Sequence, residues 1–278
     1  MTTAQSDFAE LNGIELYYET AGSGSPLVLI HAGICDSHMW DDQFARFATH
    51  YQVIRYDMRG YGQTEPVEGS YAHYADLHAL LDHLGIAQAH LIGCSMGGTT
   101  ALDFAVAYPE RVLSLTTVCS EPGGYEDLDE NGEEIEEETP ENWDQIVEAF
   151  KLGAYESVAA WEVQFWVVGP ERAADQVDAE IQRKVYEMNL IALRNEALEL
   201  GENQPLDPPA ADRLAELQMP TLVIIGAVDQ PVMRRAADYM ATHIAGAQKI
   251  VIPNTAHLPS MEQPALFNQI VLDFLATV

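Results

Sequence analysis

Ala89-His-Leu-Ile-Gly-Cys-Ser95-Met-Gly-Gly-Thr99 is the stretch from which the rest of the chain can be read. A short apolar run ends in Gly93-Cys94-Ser95-Met96-Gly97, and an alanine-rich, helix-favouring run follows from Thr99 to Tyr108. The pattern predicts a strand, a sharp turn and a helix over about 98–108. A serine at the apex of so tight a turn is held in a strained conformation with its hydroxyl thrust out of the sheet. Only glycine at positions 93 and 97 lets strand and helix pass that closely. The helix begins just behind Ser95, so its unpaired amides and positive end face any negative charge that develops there.

Outward from this turn, strands and helices alternate. Upstream, residues 8–20 read as a hairpin about Asn12-Gly13, and Leu27-Val-Leu-Ile30 as a buried strand. A helix over about 39–49, a strand Gln52–Tyr56 and a helix over about 70–84 follow. Downstream, Val112–Cys119 is another buried strand. The rhythm then breaks at Glu121-Pro-Gly-Gly124, and helices are expected near 141–152, 155–167 and 171–200. Alternation resumes with Thr221–Gly226 and Lys249–Ile252, and a helix over about 261–276 closes the chain. This is an α/β pattern: a mostly parallel eight-stranded sheet flanked by helices, built from 1–120 and 207–278, with 121–206 inserted as a helical cap.

Two polar residues sit where a nucleophile would need them. Asp229 follows strand 221–226 and His257 follows strand 249–252, so both lie on loops at the carboxyl ends of parallel strands, the edge at which Ser95 emerges. Nucleophile, acid and base in the order Ser95, Asp229, His257 form a triad for acyl transfer. The loop His31-Ala32-Gly33-Ile34 after the first parallel strand places a second backbone donor beside the Met96 amide. Gly33 is the first choice and Ile34 the next, while His31 is expected to pin the loop by hydrogen bonds. The turn Asp57-Met-Arg59-Gly-Tyr-Gly62 reads as structural, its charged pair satisfying loop amides and carbonyls. Trp143, Trp161, Phe165 and Trp166 in the cap, with Ile34 and Leu258 from the core loops, are the expected substrate-lining residues.

Composition narrows the classes further. The 278 residues, 47% of them hydrophobic, suffice for one large domain with an insertion. Thirteen basic residues against 44 acidic ones give a formal charge of −31, which repels nucleic acid and anionic membranes. The acidic excess is densest at 126–141, which lacks the Asp/Asn/Gly alternation of a calcium loop and reads as a solvated surface. Cys35, Cys94 and Cys119 show no paired spacing, so reduced thiols are expected. The polar start and the lack of a long apolar run predict a cytoplasmic chain. A homodimer is compatible with all of this.

The elbow, the strand-end acid and base and their order resemble the α/β-hydrolase superfamily over nearly the whole chain. Gly-Cys-Ser95-Met-Gly-Gly and Ala256-His257-Leu-Pro-Ser-Met-Glu-Gln-Pro264-Ala-Leu-Phe-Asn look like its 3-oxoadipate enol-lactonase and small-carboxylesterase branch. His31-Ala-Gly-Ile-Cys departs from the Ser-Asn-Ser-Leu-Gly type of loop that enol-lactonases tend to carry. The resemblance implies a serine hydrolase of small-molecule esters or lactones that needs no cofactor or metal. Carbon–carbon bond hydrolysis, cofactor-free perhydrolysis and slow-turnover reception of a small molecule use the same triad. An anionic substrate would meet an unhelpful overall field unless Arg172 or Arg183 of the cap offset it.

Overall fold

The computed structural model describes residues 4–128, 133, 135 and 142–278. Most of the acidic run 126–141 therefore lies outside the described residues. Strands β1 (Gln5–Leu11) and β2 (Ile14–Gly22) form the hairpin, with Asn12 and Gly13 both at positive φ as a two-residue turn requires. There follow β3 (Pro26–Ile30), α1 (Asp41–Phe47), β4 (Gln52–Tyr56), α2 (His73–His83), β5 (Ala89–Cys94), α3 (Met96–Ala107) and β6 (Val112–Val118). The helices α4 (Trp143–Lys151), α5 (Tyr155–Glu162) and α6 (Ala179–Glu196) come next, with a π-helical turn at Val163–Val168. The chain ends in β7 (Thr221–Gly226), α7 (Pro231–His243), β8 (Gln248–Ile252) and α8 (Pro264–Leu275).

The eight strands form one sheet in the order β1-β2-β4-β3-β5-β6-β7-β8, antiparallel at β1/β2 and β2/β4 and parallel from β4 onward. Central strands such as β5 and β7 are buried at every position, which is why they read as unbroken apolar runs. From β3 the chain steps to β4 on one side and then crosses to β5 on the other. That reversal opens a crevice beyond the carboxyl ends of β3 and β5, where ligands bind in such sheets. Ser95 stands at its edge.

Element boundaries shift where tertiary bonds override local preference. The helix expected from 70 begins at His73, because Ser70–Tyr71 pairs in parallel with Glu202–Asn203. The elbow helix begins at Met96 rather than 98. The expected 39–49 helix is a 3-10 turn (Ser37–Trp40) followed by α1, and Pro264 separates α8 from a single turn at Pro259–Glu262. The helix expected from 171 starts only at Ala179, where the Asp178 carboxylate caps the Glu180 amide at 2.8 Å. Residues before it are held by Arg172, described below.

Candidate active site

Ser95 occupies φ 52°, ψ −122°, between the last residue of β5 and the first of α3. Its amide donates to Val118 O (2.9 Å), and its carbonyl accepts from the Gly98 and Thr99 amides at 2.8 and 3.0 Å. These bonds hold the strained residue in place. A Cβ on Gly93 would lie 2.1 Å from Gly97 O, and one on Gly97 would lie 2.4 Å from Ile30 O. Both obstacles are backbone and cannot swing aside. Gly97→Ala is therefore expected to destabilise the fold by about 3 kcal/mol or more; an unchanged melting temperature would contradict this packing. Met96 opens α3, so its amide has no acceptor within the helix.

Asp229 and His257 are brought together as the strand ends predict. His257 Nδ1 lies 3.1 Å from each Asp229 carboxylate oxygen, and Oδ1 also accepts the Gln230 amide at 2.8 Å. Both residues are almost fully buried. The Cys94 thiol, one residue before Ser95, reaches the His257 carbonyl at 3.7 Å and joins the elbow to the histidine loop. Cys119 lies close to the pair: its Sγ, an Asp229 oxygen and a His257 nitrogen fall within 4.8 Å of one another. Burial, and then the Asp229 charge, push that thiol up, which keeps it protonated.

On the other side of Ser95, Cys35 N–H closes a turn onto Ala32 O at 3.0 Å, leaving Gly33 and Ile34 at its centre. A Cβ placed on Gly33 would sit 3.7 Å from the Met96 side chain and 3.8 Å from the Tyr61 hydroxyl, which puts the turn directly against the elbow. His31 holds this loop: Nδ1 lies 2.9 Å from Ala32 O and Nε2 accepts the Met58 amide at 2.9 Å. Burial pushes its imidazole down, consistent with a neutral ring between a donor and an acceptor. Asp57 accepts the Ser37 and Gln63 amides, and Arg59 pairs with Asp76 at 3.1 Å, so this turn is structural as read from its sequence.

The helical segment 143–196 contributes a row of rings. Trp143, Trp161, Phe165, Trp166 and His257 follow one another at centroid separations of 5.6, 4.9, 4.8 and 4.4 Å. Trp166 covers the histidine, and Trp143 lies at the outer end, 43% exposed. Ile34 and Leu258 are buried beside the core loops. The π-helical turn that presents Phe165 and Trp166 is anchored by Gln230 Nε2 to Phe165 O (2.6 Å) and by His257 N to Trp166 O (3.4 Å).

Arg172 plays a different part from the one its charge suggested. It donates to Glu262 at 2.5 and 3.2 Å and to the carbonyls of Val167, Val168 and Asn254. Glu262 in turn accepts the Ala256 amide at 2.8 Å. The pair thus clamps the π-helical turn to the histidine loop, and its guanidinium is occupied. Arg183 is exposed and pairs with Glu180 and Glu187 on its own helix. Glu262, Gln230 and Tyr61 were not singled out by sequence; their partners are 65 to 90 residues away or lie across another loop.

The family model for the alpha/beta hydrolase fold matches residues 25–264. A pimeloyl-[acyl-carrier protein] methyl ester esterase from Yersinia enterocolitica is 26% identical over 270 residues, 94% of this chain and 97% of that protein. The 3-oxoadipate enol-lactonase 1 of Acinetobacter baylyi is 27% identical over 246 residues, 87% of this chain and 85% of that protein. A thermophilic esterase from Thermogutta terrifontis superposes with a TM-score of 0.77 at 26% identity, covering 99% of this chain and 98% of that one. Sheet order, elbow and matched length agree, and the chain belongs to the alpha/beta hydrolase fold family.

Proposed function

We propose that the protein hydrolyses carboxylic esters or lactones through an acyl-enzyme on Ser95. The observation that carries this reading is the buried Asp229–His257 pair, joined through Cys94 to a serine held at positive φ on a sheet edge. His257 takes the Ser95 proton as the hydroxyl attacks the carbonyl, and Asp229 fixes the ring tautomer and stabilises its charged form. The oxyanion is met by the Met96 amide and by Gly33, with Ile34 the alternative donor. Collapse expels the alcohol, or opens the ring of a lactone, and a His257-activated water then releases the acid. Residues 121–206 act as a cap over a core of 1–120 and 207–278, with the aromatic row as the acyl or alcohol wall. No metal or cofactor takes part in these steps.

The test is hydrolysis of short p-nitrophenyl esters and simple lactones, followed by mass spectrometry after reaction with a fluorophosphonate. Turnover with a single adduct on Ser95 supports the reading. Folded protein that neither turns over esters nor is labelled would sink it.

The same surroundings favour uncharged substrates. Arg172 and Arg183 are engaged as described and Arg194 pairs with Glu156 at 3.1 Å, while the cap carboxylates Glu196 and Glu162 both act on the Tyr61 phenol, which stands against Met96 at 3.6 Å. Burial raises the Tyr61 phenol first and those charges raise it further. Glu162 is itself raised, by burial and then by Glu196, against the 2.5 Å hydrogen bond it accepts from Asn189. A carboxylate on the substrate would meet like charge here. Methyl butyrate is expected to be hydrolysed at least about tenfold faster, by kcat/KM, than monomethyl succinate. Equal rates, or a preference for the anion, would show that a cation serves the pocket after all.

A further inference from the structure

A small cavity, of about 50 Å³, lies against α3. It is lined by His73 and Tyr74 of α2, by Met96, Thr99, Thr100 and Asp103 of α3, and by Asn203 and Gln204 of the strand that pairs with Ser70–Tyr71. His73 and Asp103 are more than nine-tenths buried, and both His73 Nδ1 and Asp103 Oδ1 lack any hydrogen-bond partner among the described residues. Two orphaned polar atoms on one small cavity are a costly arrangement unless something fills it. Gly123 lies over Asp103; a Cβ there would stand 3.3 Å from Oδ1.

We propose that this cavity binds one monovalent alkali cation, held by Asp103 Oδ1 and the neutral oxygens and imidazole around it.

The argument is one of charge. Burial alone pushes the Asp103 carboxyl up to about 6, so above that pH the cavity holds a carboxylate. His73 cannot balance it: burial first, and then its neighbours His31 and Arg59, push the imidazole down to about 4, and the ring is neutral. Arg59 is already paired with Asp76. Along the same α2–α3 seam stand Tyr74, Tyr108 and His78, the last 4.3 Å from Tyr108 and accepting from Arg111, which is itself paired with Asp82. The Tyr74 phenol is raised by burial, then by Tyr108 and Asp103, and brings no positive charge. Water would satisfy the hydrogen bonds and leave the charge uncompensated.

Ligand chemistry selects the ion. The cavity has room for one ion together with a few waters that complete its shell. Asn203 Oδ1 accepts only the His73 amide at 3.3 Å, and the hydroxyls of Thr99 and Thr100 donate to Glu121 O and Met96 O at 2.8 and 2.9 Å, which leaves oxygen lone pairs free. One carboxylate among neutral oxygens suits a monovalent ion, whereas calcium sites gather several carboxylates. Transition-metal sites gather three or more nitrogen, sulfur or carboxylate ligands. Among the described residues such a three-ligand group occurs only at Cys119, Asp229 and His257. Bound here, the ion would join α2, α3 and the 203–204 strand beneath the helix that bears the oxyanion donor.

The sign of the pH effect follows from the raised carboxyl. An aspartate with a folded pKa near 6 disfavours the native state increasingly as pH rises from about 4 to 6, and fully above that, unless a cation offsets it. The experiment compares melting temperatures of wild type and Asp103→Asn in sodium, potassium and choline chloride at equal ionic strength. At pH 8, wild type is expected to melt about 2–4 °C higher in sodium or potassium than in choline at tenfold-saturating salt. Asp103→Asn, which keeps the shape and removes the charge, is expected to show no such difference and to exceed wild type in choline. At pH 5 the wild-type difference is expected to shrink towards zero, a readout that needs no variant. Equal wild-type values in choline and alkali chloride at pH 8 would mean water alone fills the cavity. An undiminished difference in Asp103→Asn would place the effect on the acidic surface and overturn the site.

Discussion

Ser95→Ala is expected to lower kcat for a short-chain ester by about 10⁴- to 10⁶-fold while leaving KM within a few-fold and the fold intact. The substitution removes one hydroxyl and keeps a Cβ, so the strained φ of 52° and the bonds to Val118 O and from the Gly98 and Thr99 amides are unchanged. Alanine at that apex leaves the Met96 amide and the turn at Gly33 in place, so substrate still binds and the carbonyl is still polarised. Only the hydroxyl is lost. Asp229→Asn tests the same reading from the other end. Both Asp229 oxygens face His257 Nδ1 at 3.1 Å, and an amide there holds the ring in the wrong tautomer, at a cost of about 10⁴-fold in kcat. Stopped-flow or steady-state kinetics on purified, thermally characterised variants decides the matter. Ser95→Ala protein that melts like wild type and retains a tenth of its activity would move the nucleophile elsewhere.

The second large effect lies in the clamp between Arg172 and Glu262. Both side chains are under a tenth exposed, their closest contact is 2.5 Å, and the arginine also binds the carbonyls of Val167, Val168 and Asn254. Arg172→Ala leaves Glu262 buried without its cation, and the melt is expected to shift by about 3–5 kcal/mol in stability, roughly 10 °C for a domain this large. Activity should fall with it even at low temperature, because Glu262 holds the Ala256 amide, one residue before His257, and because the π-helical turn that sets Trp166 on His257 loses its anchor. Arg172→Met with Glu262→Met separates the two roles. With no charge left unpaired, that double variant is expected to regain most of the stability of wild type while kcat stays low. A single Arg172→Ala variant within 1 kcal/mol of wild type would show that the clamp contributes little.

The clamp also shows why some of this site could not be read from the chain. Arg172 was legible only as a cap cation available to offset a substrate's charge, and its partner stands 90 residues away on the turn after β8. No local pattern encodes which of many carboxylates a long side chain reaches. The same bonds explain the late start of α6: residues 171–178 have ordinary helical composition, but Arg172 draws this stretch back against the π-helical turn until Asp178 caps Ala179 onward. The π-helical turn itself depends on Gln230 and His257 capturing the Phe165 and Trp166 carbonyls, and so on β7 and β8 being in place. His73 and Asp103 gave no signal at all, because each is unremarkable on its own helix and they share a cavity only after α2 and α3 pack.

What the sequence determined by itself was local or topological. The elbow is written in Gly93, Ser95 and Gly97 because backbone sterics within five residues force it, and the buried strands are written in apolar runs because both faces of a parallel sheet are covered. That Asp229 and His257 meet, on the sheet edge at which Ser95 stands, was legible because parallel strands deliver the residues after them to one edge, whatever the loops between. Tertiary structure alone decided which ring lies on His257, which arginine is structural, and where two buried polar atoms face a common space. Those outcomes depend on side chains meeting across distances that no periodicity spans, and on the low-dielectric interior that makes each such meeting either a partnered charge or an unpaired one.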